Sequence, residues 1–226
     1  MADAVRRRLH WPDWLRLHTA LGAVAPDAYR LMPGLGYRPL HFRSHSRAGQ
    51  RLEDFLAVYL RPVLRGGGND ERAFWTGWLC HIMADTVWQR AIQAELPNLW
   101  QGALSSDGEL SKALRQEYQN ACDRVDREIT NVQAEHVSEL RWALRSAEPG
   151  YNVHPLNSAV LSQWVGDLCA NALPPPEPAT PGTDLISYTF VRRVVEAATE
   201  EAITLFSREL EMAQGELEGD KPLDEW

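Results

Sequence analysis

Apolar side chains recur at helical spacing along most of this chain. Between residues 52 and 64 the apolar residues fall on one face of a helix, as expected for a period of about 3.6 residues; they are Leu52, Phe55, Leu56 and Leu60. From about Glu71 to Glu95 apolar residues occupy nearly every face, so we predict a long central helix that is buried on all sides. No segment alternates apolar and polar residues in the way that marks a half-buried strand. The pattern therefore predicts an all-α fold.

Segments rich in proline and glycine separate the predicted helices, because both residues interrupt or end a helix. These segments are the loop at residues 25–46, the glycine run at 66–68, Pro149-Gly150 and the proline-rich stretch 172–184. The remaining helices are predicted over residues 1–20 with a break at Pro12, over 108–144 as one long or two broken helices, over 157–172 and over 185–212. The connectors are too short to separate independent cores. We therefore expect residues 1–214 to form a single helical domain and residues 215–226 to be a flexible acidic tail.

The composition narrows the class of protein. The chain has 226 residues, of which 44% are hydrophobic and 24% charged, so it can bury an ordinary core. Its formal net charge of -8 argues against nucleic acid and anionic membranes as general partners, although residues 6–8 are three consecutive arginines. No membrane span is expected, since no stretch of about 18 apolar residues occurs, and no secretion signal is found. Three cysteines without a CxxC spacing are typical of reduced thiols, and we expect a cytoplasmic protein.

The strongest chemical signal is the pair His81 and Asp85 inside the apolar central helix. Residues four apart lie on the same face of a helix. Burying an imidazole and a carboxylate there is costly unless both have partners, and a metal ion is one such partner. The alternative is a hydrogen bond between the two side chains with no metal. Gly77, one turn before His81, would let another backbone approach this position.

Three segments make the metal interpretation more specific. They are LGAVAPDAY at residues 21–29, LHF at 40–42 and FWTGWLCHIMADTVW at 74–88. Together they resemble the zinc-dependent phospholipase C family, which has an LGAxxPD segment, a histidine some fourteen residues later and a GxxxHxxxD helix. The resemblance covers roughly the first hundred residues. It implies a single all-helical metal-binding domain with a long central buried helix, and a zinc ion held by Asp27, His41, His81 and Asp85.

The chain also departs from the family pattern. Active members hold three zinc ions, and their second site needs a histidine about ten residues after the first helix histidine, where this chain has Ala91. The third site uses the amino terminus of a tryptophan exposed by processing, and the chain has Trp11 without a signal for that cleavage. We therefore expect one ion, zinc or another divalent metal. Further candidate ligands, or residues that orient the ligands, are His10, His18 and His45.

The resemblance implies a metal-dependent hydrolase of a small-molecule or lipid-derived phosphoester. In that interpretation Asp27 or Asp85 acts as general base, Arg43 or Arg47 holds the phosphate, and Trp88 provides an apolar wall. Two alternatives stay open. A non-catalytic metal-stabilised protein is favoured by the missing second-site ligands, since phosphoryl displacement gains from paired metals. A zinc nuclease of the same fold is disfavoured by the acidic charge balance.

Overall fold

The computed structural model has nine labelled helices, and it confirms the all-α prediction for the residues that it describes. Those residues are 1–35, 38–41, 52–95, 116, 118, 120–125, 127, 128, 133–145, 151, 156–170 and 186–219. The helices are α1 (Ala2–Arg8), α2 (Arg16–Val24), α3 (Arg38–His41), α4 (Leu52–Phe55), α5 (Arg61–Gly66), α6 (Asn69–Glu95), α7 (Ala134–Arg145), α8 (Ser158–Ala170) and α9 (Tyr188–Gly219). A π-helical turn, Leu56–Leu60, joins α4 to α5. Across these described stretches there is no strand.

The N-terminal segment breaks where the proline predicts it. Pro12 is extended, with φ -63° and ψ 155°, and a 3₁₀ turn at Asp13–Leu15 leads from it into α2. The segment predicted to be an irregular loop is more ordered than expected, because a 3₁₀ helix, Ala25–Leu31, and the short helix α3 lie within it. Pro26 is tolerated there, since the first turn of a helix has no backbone hydrogen bond to lose.

The helix α6 runs through the middle of the fold, as the sequence predicts. Twelve of its residues are buried, and it packs against α2 more extensively than any other two described helices pack together. Glycines permit this approach at two points. A Cβ atom at Gly77 would overlap the carbonyl oxygen of Thr19, and one at Gly22 would overlap the carbonyl oxygen of Phe74. The close contact fixes the C-terminal end of α2 against the middle of α6.

Two hydrophobic clusters form the core along α6. The first surrounds its N-terminal half and includes the fully buried Trp78, Phe74 and Leu21. The second lies toward its C-terminal end, where it meets α9 through Ile92, Ile186 and Phe190, among others. His81 lies within the stretch of α6 that contributes to the first cluster, between Cys80 and Ile82, and Asp85 lies between Met83 of the first cluster and Val87 of the second. Asp85 therefore lies where the two apolar regions meet along α6.

The C-terminal helix α9 is longer than the sequence predicts. It extends to Gly219, five residues into the segment expected to be a flexible tail, while residues 220–226 lie outside the described part. Its fully buried Glu209 pairs with Arg61 of α5 and with Arg208. Burial alone would raise the pKa of Glu209, but the two guanidinium groups outweigh it and lower that pKa. None of the described helices has a stretch long and apolar enough to cross a lipid bilayer.

Candidate metal centre

The four residues predicted to bind metal come together in the structure. Asp27 lies in the 3₁₀ helix, His41 ends α3, and His81 and Asp85 project from α6. The Nε2 atom of His41 is 3.5 Å from Oδ1 of Asp27 and 3.9 Å from Oδ2 of Asp85. The Nε2 atom of His81 is 4.0 Å from the same oxygen of Asp85, and the two imidazole rings have centroids 4.8 Å apart.

One side of the cluster is buried, and the other side is partly exposed to solvent. The side chain of His41 is 0% exposed and that of His81 14%, whereas the carboxylates of Asp27 and Asp85 are 31% and 34% exposed. The imidazoles therefore lie in the dry part of the site. The carboxylates face the side from which solvent or a small molecule reaches the cluster.

The imidazole of His81 is held in one tautomer. Its Nδ1 lies 2.8 Å from the backbone carbonyl oxygen of Ala23, which can only accept a hydrogen bond, so Nδ1 carries the proton. Burial lowers the pKa of His81, which keeps the ring neutral even though Asp85 and Asp27 favour the charged form. The Nε2 atom is then an unprotonated acceptor, and it is buried without a hydrogen-bond donor among the described residues. A neutral imidazole whose other nitrogen donates to a carbonyl is the usual form of a histidine metal ligand.

The carboxyl of Asp27 is tuned toward its ionised form. Burial would raise its pKa, but the nearby imidazoles of His41 and His81 and the guanidinium of Arg30 outweigh that effect, so the pKa lies below the ordinary value. An ionised carboxylate is the form that coordinates a dication. Asp27 is thus an anion at neutral pH, poised beside two imidazoles.

Backbone contacts hold the ligand-bearing segments in place. Trp78, one turn before His81, donates its Nε1–H to the carbonyl of Leu40 at 3.1 Å and so fixes α3, which carries His41. Trp164 of α8 donates to the carbonyl of Val24 at 2.8 Å, at the start of the 3₁₀ helix that carries Asp27. Tryptophan side chains from two different helices thereby position the segments that carry His41 and Asp27.

These residues fit a zinc-type dication. The ligand atoms of Asp27, His41 and His81 all lie within 4.8 Å of one another. In a tetrahedral zinc site with metal–ligand distances of about 2.0–2.1 Å, neighbouring ligand atoms are about 3.3 Å apart, so only a modest contraction is needed. Asp85 lies 3.9 and 4.0 Å from the two imidazole Nε2 atoms, outside this tighter group of three, and would be the fourth ligand. Two carboxylates also balance the charge of the ion, and the acceptor at His81 Nε2 would gain the partner that it lacks.

Two of the other predicted histidines, His10 and His18, do not belong to the group of potential metal ligands among the described residues. The Nδ1 atom of His18 pairs with the hydroxyl of Tyr151 at 2.7 Å. His10 lies in the exposed turn after α1 with a positive φ of 55°. The backbone N–H of Trp11 donates to the carbonyl of Arg6. The remaining predicted residues, His45, Arg43 and Arg47, lie outside the described residues.

Trp88 and Ala91 lie beyond Asp85 on α6, on the side of the second hydrophobic cluster. The indole N–H of Trp88 donates to the hydroxyl of Tyr118 at 2.7 Å. Burial raises the pKa of that phenol to about 12, so Tyr118 is protonated at neutral pH. Ala91, at the position of the second-site histidine, packs against the same cluster. The position of Ala91 therefore lies against an apolar cluster.

Four residues that support the site were not recognised in the sequence. The carbonyl of Ala23 carries no side-chain signal, and nothing in the sequence indicates which backbone carbonyls the indoles of Trp78 and Trp164 bind. Arg30 was missed because residues 25–46 were expected to be irregular. In the observed 3₁₀ helix its spacing of three from Asp27 puts both side chains on one edge.

Comparison with known proteins agrees with this geometry. Residues 17–88 match the model of the family described as zinc dependent phospholipase C, a match that covers about a third of the chain. No individual curated protein and no solved structure matches the chain significantly. The matched region begins in α2, ends at Trp88 and contains all four clustered residues. Over residues 17–88, the chain is therefore similar to the zinc-dependent phospholipase C family.

Proposed function

We propose that this protein is a metal-dependent phosphoester hydrolase of the phospholipase C type, with one zinc or similar dication held by Asp27, His41, His81 and Asp85. The observation that carries the proposal is the buried Nε2 atom of His81, which lacks a hydrogen-bond donor among the described residues while its Nδ1 is fixed on Ala23. A buried polar atom without a partner is costly. A metal ion at this point removes that cost.

The partial exposure of the two carboxylates favours a catalytic metal ion over a purely structural one. A bound dication polarises a phosphoryl oxygen and lowers the pKa of a coordinated water. The two imidazoles lie at the closed side and hold the ligand geometry, whereas Asp27 and Asp85 are about a third exposed and border the open side. A small phosphoester would reach the cluster from that open side.

The two carboxylates suit different roles. The lowered pKa of Asp27 makes it a weak base and a good anionic ligand. We assign proton acceptance to Asp85, whose Oδ2 lies 3.9 and 4.0 Å from the two imidazole Nε2 atoms, at the exposed side. An acyl or other apolar part of the substrate would contact the surface beyond Asp85, where Trp88 and Tyr118 lie. A lipid-derived phosphoester is the substrate class that this arrangement and the family favour.

The experiment measures release of p-nitrophenol from p-nitrophenylphosphorylcholine and from bis(p-nitrophenyl) phosphate by the zinc-loaded protein. We expect hydrolysis that a chelator abolishes and that His81→Ala lacks. The matched control is His10→Asn, which removes an exposed imidazole and retains a residue that tolerates positive φ. Zinc uptake without hydrolysis of either substrate would support the non-catalytic alternative, and cleavage of single-stranded DNA in preference to both would support the nuclease.

A further inference from the structure

The side chain of Arg30 is a cation near the cluster that is not a predicted metal ligand. Arg30 lies in the 3₁₀ helix three residues after Asp27, and side chains three apart lie above one another along such a helix. Its guanidinium is close enough to Asp27 to interact electrostatically with that carboxyl. Arg30 therefore lies on the same edge as a predicted metal ligand, and its side chain is exposed to solvent.

Arg30 differs from most of the other arginines that the structure describes. Many of them have a carboxylate oxygen within 4.0 Å; these are Arg6, Arg7, Arg8, Arg16, Arg61, Arg90, Arg192, Arg193 and Arg208. Within the described part of the chain Arg30 has no such ion pair. In a protein with a net charge of -8, a guanidinium that stays without a carboxylate next to a metal centre is available for an external anion.

An aromatic platform holds Arg30 in place. Its guanidinium carbon lies 6.0 Å from the ring centroid of Trp164, within the range of a cation–π contact. Trp164 is 9% exposed and is itself fixed by the hydrogen bond from its Nε1 to the carbonyl of Val24. The platform orients the guanidinium without neutralising it, so its hydrogen-bond donors remain available.

We infer that Arg30 binds the phosphoryl group of the substrate, and that Trp164 is its positioning residue. This inference rests on the proposed function. A dication and the carboxylates of Asp27 and Asp85 cancel in charge, so among the described residues near the cluster Arg30 offers a phosphate a positive charge that no carboxylate neutralises. The planar guanidinium also matches two phosphoryl oxygens at once, which an ammonium does not. The ligand recognised is the phosphoryl oxyanion, whether from a lipid headgroup ester or from free phosphate.

Isothermal titration of the zinc-loaded protein tests this inference without depending on turnover. The probes are inorganic phosphate, phosphorylcholine as a monoester and dimethyl phosphate as a diester, which distinguish the two sources of the oxyanion. We expect Arg30→Met to weaken binding of the preferred probe about tenfold or more, with zinc content unchanged, and Arg30→Lys to recover only part of the loss. Arg192→Met, which removes an exposed arginine of α9, should bind like the wild type.

The role of Trp164 has its own readout. Trp164→Phe keeps an aromatic face but loses the bond to Val24. We expect it to weaken binding of the probe less than Arg30→Met does, and to have no further effect in the Arg30→Met background, because it acts through Arg30. Independent, additive losses would overturn the positioning role.

The outcomes separate this inference from the proposed function. If zinc-loaded wild type and Arg30→Met bind all three probes equally, or if the wild type binds none, the assignment of Arg30 is wrong while the metal site stands. If the probes bind through Arg30 but no phosphoester is hydrolysed, the assignment stands and the hydrolase proposal fails.

Discussion

The imidazole Nδ1 of His81 lies 2.8 Å from the carbonyl oxygen of Ala23, the penultimate residue of α2. This one contact links a side chain of the central helix to the end of the helix that leads into Asp27. It fixes the tautomer of His81 and leaves Nε2 as the acceptor that faces the cluster. The geometry of the proposed metal site therefore depends on how closely α2 and α6 approach each other.

The helix contact at Gly77 gives a direct prediction for stability. In Gly77→Ala the new methyl group would overlap the carbonyl of Thr19, so α2 must move away from α6. We expect a loss of about 2–4 kcal/mol in the free energy of unfolding and weaker zinc binding, since Ala23 and Asp27 move with α2. Urea denaturation measures the first effect. Gly166→Ala is the control, because Gly166 lies in α8 with no atom near its Cβ position, and it should stabilise by about 0.5–1 kcal/mol.

The lowered pKa of His81 predicts how the metal-free protein responds to acid. The unfolded chain takes up a proton at this residue near pH 6.5, whereas the folded chain does so only at lower pH. Stability should therefore fall as the pH drops below 6.5, by at most about 1.4 kcal/mol per pH unit from this group. In His81→Gln, measured by urea denaturation with chelator between pH 7.5 and 5.5, that slope should be smaller. An unchanged slope would contradict a buried, neutral His81.

The hydrogen bond from Trp78 to Leu40 should matter for both fold and metal. Trp78→Phe retains a buried aromatic ring but leaves the carbonyl of Leu40 without that donor. We expect a cost of about 1–3 kcal/mol in stability and a weaker zinc affinity, because α3 carries His41. Competition with a chromophoric chelator measures the affinity. Trp142→Phe, on a side chain that is 72% exposed, should change neither quantity.

The two carboxylates should contribute unequally to metal affinity. Asp27 lies nearer to His41 than Asp85 does, at 3.5 Å against 3.9 Å, and belongs to the tighter three-residue group. Asn removes the charge with little change in shape. We therefore expect Asp27→Asn to reduce zinc affinity more than Asp85→Asn, and Asp85→Asn to reduce hydrolysis more than its metal loss explains. The opposite order would reverse the roles assigned to them.

Much of the ligand set is readable from the sequence because its parts have local signals. His81 and Asp85 share a helix face by spacing alone, and Gly77 marks the close approach that the structure contains. Joining Asp27 and His41 to that pair needed the family resemblance, since no periodicity relates a loop to a helix face. The central helix was predictable because apolar residues occupy nearly all of its faces, and such a pattern is typical of a buried helix.

The remaining features could not be read in this way, for identifiable reasons. The partner of His81 is a backbone carbonyl, which any residue at position 23 would supply. The alignment of Arg30 with Asp27 depends on a 3₁₀ helix in a segment where proline and glycine predict irregular structure. His18 is as plausible a metal ligand by residue type as the histidines of the cluster, but in the structure its side chain contacts Tyr151. Which side chains point toward the cluster depends on how the segments pack in three dimensions, and this cannot be derived from local sequence patterns.

Elemental analysis tests directly whether His81 and its neighbours bind one dication. Wild type, His81→Ala and His10→Asn are each loaded with excess zinc, passed through a desalting column and analysed by mass spectrometry for moles of zinc per chain. We expect about one zinc ion for the wild type and for His10→Asn, and much less than one for a folded His81→Ala. Equal zinc content in wild type and His81→Ala, or none in any of the three, would contradict this expectation.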